Sequence, residues 1–393
     1  MRTQQSAVAT APAGAVPGTI ARCALRTAGL LLAVLLAGCG PRAPTAGLDV
    51  ASALGGEATA GFARAVAPRE FHFPEDHNAH PDFRNEWWYF TGQLAAESGE
   101  RFGYQVTFFR VALALPGPDR ISAWAARQLW MAHVAVTAID GGRHWHRERF
   151  ARDALGLAGQ QAQPFRVWLE DWTLSGGDGG RFPWQLAIET DAFELALSLE
   201  PLREPVLQGD DGLSRKSAEP GNASYYYSIT RLATRGTVTV AGETQAVRGQ
   251  SWLDREWSTS ALGDDQAGWD WFSLQLDSGA DLMLYQLRRK DGGSDPHSAG
   301  LLLAGDGQRR TLKIDDFELK PLRWWRADSG ARYPVAWRLA LPAAGLALEV
   351  EALLDDQAMA TAVRYWEGAV EVRDPGSGER LGGGYLEMTG YEH

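Results

Sequence analysis

A tryptophan-rich hairpin that occurs twice restricts the fold more than any other feature of the chain. "WWYFTGQLAAESGERFGYQV", from Trp87, and "WDWFSLQLDSGADLMLYQL", from Trp269, share Trp87, Phe90, Gln93 and Leu94 as Trp269, Phe272, Gln275 and Leu276, at a constant offset of 182. Tyr104 and Gln105 recur as Tyr285 and Gln286 one residue out of step, and the slip falls in the turn. A supersecondary unit repeated at this distance predicts two successive halves of like design, over residues 69–250 and 251–393. Each half has the size of one antiparallel β-barrel or sandwich.

From residue 69 onward, short runs rich in aromatic and β-branched residues are broken by Gly, Asp and Ser. "GTVTVAG" and "FELALSL" alternate apolar with polar or small residues, the period of a strand with one buried face. No long amphipathic helix is apparent; "SAWAARQLWMAH" is the best segment for a short one. With 393 residues, 45% of them hydrophobic, the chain can bury a large core.

The front end differs. All 16 tryptophans lie at or after Trp87. Residues 22–39, "RCALRTAGLLLAVLLAGC", place Arg22 and Arg26 before an apolar run that suits a signal-peptide core and is too short for a permanent membrane span. Leu36-Ala37-Gly38-Cys39 has the pattern of a bacterial lipobox, so residues 1–38 are expected to be a lipoprotein signal and Cys39 the lipidated mature N-terminus. An ordinary secretory signal cleaved nearby is the alternative. Residues 39–68, rich in Ala, Gly and Pro, are expected to be a flexible tether.

Cys23 and Cys39 are the only cysteines, so a mature lipoprotein has no thiol for disulfides, zinc or nucleophilic catalysis. Loss of Arg2, Arg22 and Arg26 leaves 35 basic against 49 acidic residues, a net charge of −14. That balance argues against a nucleic-acid partner.

If residues 86–92 form a strand, Glu86, Trp88 and Phe90 face one way and Trp87, Tyr89 and Thr91 the other. Both faces are aromatic and both need cover: a core or ligand cavity on one side, a second domain or long loop on the other. In the second half, Asp270, Phe272, Leu274 and Leu276 share a face opposite Trp269, Trp271, Ser273 and Gln275. A carboxylate therefore begins an otherwise apolar face in each half, either as a buried proton donor or as a solvated or backbone-pinned strand end.

"GQSWLDREWSTSAL" precedes the second hairpin and is the segment richest in chemistry. An extended chain puts Asp254 and Glu256 on one face about 7 Å apart, flanked by Trp252 and Trp257. Paired carboxyls beside tryptophans suit protonation of a substrate and stabilisation of a cation, and also glycoside hydrolysis. An Asp254–Arg255–Glu256 ion cluster closing a barrel end fits equally. His77 with His80, and His144 with His146, lack a third ligand nearby in sequence, so no metal or other cofactor is expected. His133 reads as a hydrogen-bonded strand residue in a barrel wall. No phosphate-binding loop and no G-x-S-x-G elbow occurs.

"HPDFRNEWWYFTGQL", "DGLSRKSAEPGNASYYYSITRL", "SWLDREWSTSAL", "GWDWFSLQL" and "YWEGAV", in this order, resemble the AttH/carotenoid 1,2-hydratase family of lipocalin-like proteins, in its secreted lipoprotein branch. That branch is often labelled as predicted secreted hydrolases. The resemblance runs from about residue 70 to "GYLEMTGYEH" and implies an all-β fold of two consecutive lipocalin-like antiparallel barrels. Members of the hydratase branch add water to the terminal double bond of acyclic carotenoids. Their active segment carries a His-x-Trp motif after an Asp; here Trp257 matches, and Arg255 stands where the histidine would be.

The leading expectation is a membrane-tethered, periplasm-facing lipoprotein that binds an apolar, isoprenoid- or lipid-like small molecule. Glu86, Trp87, Trp88, Tyr89, Trp252, Trp257, Trp269, Trp271 and Tyr285 are the candidate ligand contacts. Hydratase or hydrolase chemistry on that ligand would fall to Asp254, Glu256 or Asp270 as proton donor. The alternatives are an accessory lipoprotein contacting the subunits of a membrane transporter and, more weakly, a carbohydrate binder. Gly40 is not the Asp that can retain a lipoprotein at the inner membrane, which favours the outer one.

Overall fold

The computed structural model describes residues 59–391, apart from 118–121, 123, 260, 261 and 264. The signal segment, Cys39 and the first part of the tether lie outside these residues. The described elements are strands and short 3-10 turns.

The first sheet begins with two hairpins, β1 (Asn85–Ala96) with β2 (Arg101–Ala112) and β3 (Gln128–Ala138) with β4 (Arg143–Arg152). Its far wall is β5 (Ala158–Ala162), β6 (Phe165–Leu169), β7 (Trp172–Ser175), β8 (Trp184–Glu189) and β9 (Phe193–Pro201). Short β10 (Val206–Leu207) and β11 (Leu213–Arg215) pair with the long β12 (Ala223–Val240), which turns into β13 (Glu243–Ser258). The spatial order is β4-β3-β2-β1-β13-β12-β9-β8-β7-β6-β5. β6 lies against β2, β3 and β4, so the sheet curls round a core that includes Trp88, Phe90, Trp130, Trp184 and Leu253.

The second sheet comprises β14 (Gln266–Leu276), β15 (Asp281–Arg289), β16 (Ala299–Leu303), β17 (Arg309–Lys313), β18 (Glu318–Arg326), β19 (Arg332–Leu341), β20 (Leu346–Ala352), β21 (Ala358–Met359), β22 (Tyr365–Arg373) and β23 (Arg380–Thr389). Their order is β17-β16-β15-β14-β23-β22-β20-β19-β18, with β21 on β22, round a core containing Phe272, Leu274, Trp337, Trp366 and Leu386. The architecture is all-β, two consecutive lipocalin-like antiparallel barrels, as the repeat and the resemblance imply. β8 shows the one-sided alternation of an outer wall, while β1, β14 and β22 are buried along nearly their whole length and β13 from Ser251 onward.

β13 belongs to the first sheet as far as Ser258, so the division expected at 250/251 falls inside a strand. The sheets part between Ser258 and Gln266. The end of the expected tether is docked on the fold. Ala65 is fully buried in the first core, the Ala63 N–H donates to the Asp82 carbonyl, and the Tyr225 hydroxyl donates to the Ala67 carbonyl.

The two-faced strand is explained by the meeting of the barrels. Trp88 and Phe90 enter the first core, while Tyr89 joins Trp252, Trp271, Met283 and Tyr285 in a separate cluster between the sheets. The contact is reciprocal. Gln93 Nε2 donates to the carbonyls of Val370 and Gly384 at 2.8 Å each, and Gln275 Nε2 donates to those of Thr230 and Ser251 at 2.6 and 3.2 Å. Ser251 stands opposite Gly92 on β1, and Gly384 opposite Leu274 on β14, which are equivalent positions under the same offset.

Close approach is allowed at Gly383, where an added Cβ would sit 2.9 Å from Gln93 Oε1, and at Gly103, where it would sit 2.8 Å from the Ala369 Cβ. A bulge in β12 between Ile229 and Leu232 frees Arg231 to reach Asp281 of the second barrel at 2.7 Å. Replacing Gln93 and Gln275 together by Leu removes four hydrogen bonds from this contact. At about 1 kcal/mol each, the double variant should lose about 2–4 kcal/mol in urea unfolding; an unchanged midpoint would deny the glutamines this role.

Candidate functional site

A cleft of about 1020 Å³, counted with its mouth, opens between the barrels rather than inside either one. One wall is the outward face of the first barrel: Trp87 and Tyr89 on β1, Phe109 on β2, Met131 and His133 on β3, and Asp254 and Glu256 on β13. The other wall carries Trp269 and Trp271 on β14, Tyr285 on β15, Tyr365 and Glu367 on β22, and Glu387 on β23. Strand alternation selects these residues. Trp87 stands opposite Glu256 and Tyr89 opposite Asp254, so odd positions of β1 and even positions of β13 share the cleft face.

Asp254 is 3% exposed. Its Oδ2 accepts from the Tyr226 hydroxyl at 2.5 Å, and its Oδ1 from the Ser228 hydroxyl at 2.5 Å and the Trp252 indole at 2.6 Å. Burial pushes the Asp254 carboxyl up to about 7, against the pull of these donors and with help from the neighbouring Glu256. The Trp271 indole donates in turn to the Tyr226 hydroxyl at 3.2 Å. Glu256 is ion-paired with Lys216 at 3.1 Å, and the ammonium lies 4.5 Å from the Tyr285 ring centre. Burial opposes that ammonium's charge, but Glu256, Tyr285 and Asp254 outweigh it and raise its pKa.

The opposite wall holds an acid pair. Glu367 and Glu387 are direct cross-strand neighbours. Burial and the Glu387 charge push Glu367 well above the carboxylate range. Burial pushes Glu387 up to about 7, although the Trp269 indole donates to its Oε1 at 2.8 Å. Two carboxyls this close in an apolar cleft hold a proton between them. His133 Nε2 meets Glu148 Oε2 at 2.7 Å, and among the described residues His133 Nδ1, the Tyr365 hydroxyl and Glu367 Oε2 are buried without a hydrogen-bond partner. Burial lowers the His133 pKa against the opposing effect of Glu148.

Of the residues singled out in the sequence, Trp87, Tyr89, Asp254, Glu256, Trp269, Trp271 and Tyr285 meet in this cleft, and Trp252 stands behind it, holding Asp254. The others lie elsewhere. Glu86 is inside the first barrel, bonded to Arg110 at 3.0 Å, Arg255 at 2.7 Å and His80 at 2.7 Å. Burial opposes its charge, but the arginines outweigh burial and hold its pKa far below the usual range. Trp88 lies 3.9 Å under the Arg255 guanidinium, and Trp257 stacks on His80 at 3.7 Å. Asp270 sits in the second barrel against Arg288 and Tyr391, and burial pushes it up to about 6.

The Asp254-Arg255-Glu256 run thus supports both of its readings, because successive side chains point to opposite faces. Arg255 closes the barrel with Glu86, and the acids on either side of it face the cleft. The position at which the hydratase motif carries histidine points into the barrel here. His133 is in the cleft wall with its hydrogen bond. Glu367 and Glu387 were missed as acids, although their segments had been singled out; the signal was a lone glutamate within the apolar runs "YWEGAV" and "GYLEM".

Fold and site define a tandem lipocalin-like protein with an acid-lined cleft between its barrels. The chain belongs to the AttH-like family, whose model matches residues 64–391. It is similar to a putative AttH from Nitrosomonas europaea, with 37% identity and a TM-score of 0.75 over 84% of this chain and 100% of that one. Kievitone hydratase from Nectria haematococca shares the fold at 13% identity and a TM-score of 0.63, over 84% of this chain and 96% of that one. Among curated proteins, none matches.

The raised pKa of Asp254 makes stability depend on pH. Below about pH 4 the carboxyl is protonated both folded and unfolded; between there and about 7 only the folded state keeps the proton, so stability falls as pH rises. Three units correspond to at most about 4 kcal/mol. D254N should remove this part of the decline between pH 4 and 8, read as the wild-type-minus-variant difference in denaturant unfolding. A difference that stays constant across that range would contradict the assignment.

Proposed function

We propose that the protein binds an apolar, unsaturated, isoprenoid- or lipid-like molecule in the cleft and adds water to it. The observation that carries this reading is Asp254: a buried carboxyl whose pKa burial pushes up to about 7, fixed by three donors, among tryptophan and tyrosine faces. The π electrons of the double bond take the Asp254 proton and form a C–H bond, and the adjacent carbon becomes a cation. Aromatic faces tolerate such a charge; Trp87, Trp269 and Trp271 supply them here. A water oxygen then bonds to the cation and gives its surplus proton to the Asp254 carboxylate or to His133 Nδ1. The unpaired His133 Nδ1, Tyr365 hydroxyl and Glu367 Oε2 are the groups that would seat that water.

Hydration is favoured over hydrolysis because the site offers buried acids and aromatic walls, and because the same fold occurs in a protein named kievitone hydratase. The natural ligand can be extracted from protein purified from its own host, identified by mass spectrometry, and returned in ¹⁸O-labelled water. Turnover should place the label in the product, and D254N should lower kcat by about 10²–10⁴-fold while the ligand still binds. Full turnover by D254N, or protein that never carries an apolar molecule, refutes the reading.

Envelope attachment belongs to the same reading. With Cys39 lipidated, the barrels would hang on the periplasmic side of a membrane, the outer one rather than the inner. Cells fed a clickable palmitate should label the protein and retain it in the membrane fraction, and Cys39→Ser should abolish both. A labelled Cys39→Ser protein would place the lipid elsewhere.

A further inference from the structure

We propose that the end of the first barrel around Leu113, Phe150 and Leu155 is a lip that rests in the surface of a phospholipid bilayer and passes apolar molecules from it into the cleft. The inference rests on the cleft being a binding site for such molecules. Phe109 pairs with Met131, and Met131 with Phe150, across β2, β3 and β4. Directly opposed residues share a face, so this row runs outward along the cleft wall: Met131 is buried, Phe109 half-buried and Phe150 45% exposed. Val111 and Leu129, the next pair toward the end, are half-buried.

Beyond them Leu113 is 56% and Leu155 54% exposed, with Leu115, Leu157 and Trp124 also outside. Leu113, Leu115 and Leu155 come together around Arg127. The Leu113 N–H donates to the Arg127 carbonyl at 2.7 Å, and the Arg127 N–H to Asp153 Oδ1 at 2.9 Å, two residues before Leu155. Exposed apolar side chains grouped in this way mark an interaction site.

The chain itself points to the bilayer as occupant. Gly61 packs against Leu115, with an added Cβ falling 2.9 Å from its Cδ1, so the segment arriving from the N-terminus joins the fold at this lip. Thr59 stands 20 residues after Cys39. With Cys39 lipidated, 20 residues of chain, at most about 70 Å even when fully extended, would join the lip to the membrane. An exposed apolar rim held there gains by burying itself at the acyl boundary, and a ligand drawn up the Phe150–Met131–Phe109 row need not cross water.

The test uses the purified full chain bound to vesicles of three parts phosphatidylethanolamine to one part phosphatidylglycerol with brominated acyl chains. A polarity-sensitive dye is attached at Leu155→Cys, or at Glu243→Cys, which lies at the start of β13, the opposite end of the barrel from Ser258. The unsubstituted chain gives the labelling background. Bromine should quench the Leu155→Cys dye about twofold or more, as expected for insertion to acyl depth, and leave the Glu243→Cys dye unaffected. Equal quenching at both sites, or none at Leu155→Cys, overturns the proposal.

A second measurement follows transfer of cis-parinaric acid from the same vesicles to the cleft tryptophans. L113E/W124E should slow transfer on the order of tenfold while its affinity for cis-parinaric acid added from buffer stays that of the wild type. Unslowed transfer also overturns the proposal. A wild type that binds no cis-parinaric acid, yet shows the Leu155→Cys quenching, keeps the lip and removes the cleft reading.

Discussion

The structure depends on the docking of two barrels through strands that are apolar on both faces. A half-buried strand needs one apolar face; β1 and β14 carry a second, which is buried here against the other barrel's sheet. Each strand's inner residues fill its own core, and its outer residues meet the other barrel. Gln93 and Gln275 fix the register of that meeting. Each reaches across to backbone carbonyls of the pair of strands equivalent to the pair its partner reaches. The cleft is what remains between the sheets at one end of this contact, lined by Trp87, Trp269 and the other aromatic side chains around them.

Much of this was legible because period-two alternation and a repeated hairpin leave strong traces. The offset of 182 between Trp87 and Trp269 gave two halves of one design, and the parity of Trp88 and Tyr89 required a core on one side and a neighbour on the other. Parity also separated Arg255 from Asp254 and Glu256. What sequence could not supply was closure: nothing local says that Glu367 and Glu387, more than a hundred residues beyond Asp254, return to face it. Glu86 and Asp270 lie away from the cleft for the complementary reason. A carboxylate at a strand end shows its face but not its counter-ion, and in both barrels an arginine on the next strand, Arg110 or Arg288, takes it up.

Equivalent positions in the two halves have taken different chemistry. Asp254 lies opposite Tyr89 and Glu387 opposite Trp271, so the two acids correspond under the repeat. Across the next strand Asp254 faces Ser228, whereas Glu387 faces Glu367. The first half therefore presents one acid gripped by donors, and the second presents two acids that cannot both ionise. With Glu256 already paired to Lys216, the uncompensated charge in the cleft is set by how many of the other three carboxyls keep a proton. An apolar ligand that displaces water raises the cost of every remaining charge. The scaffold is nearly symmetric; its proton inventory is not, because one wall holds a single acid gripped by donors and the other a pair that shares a proton.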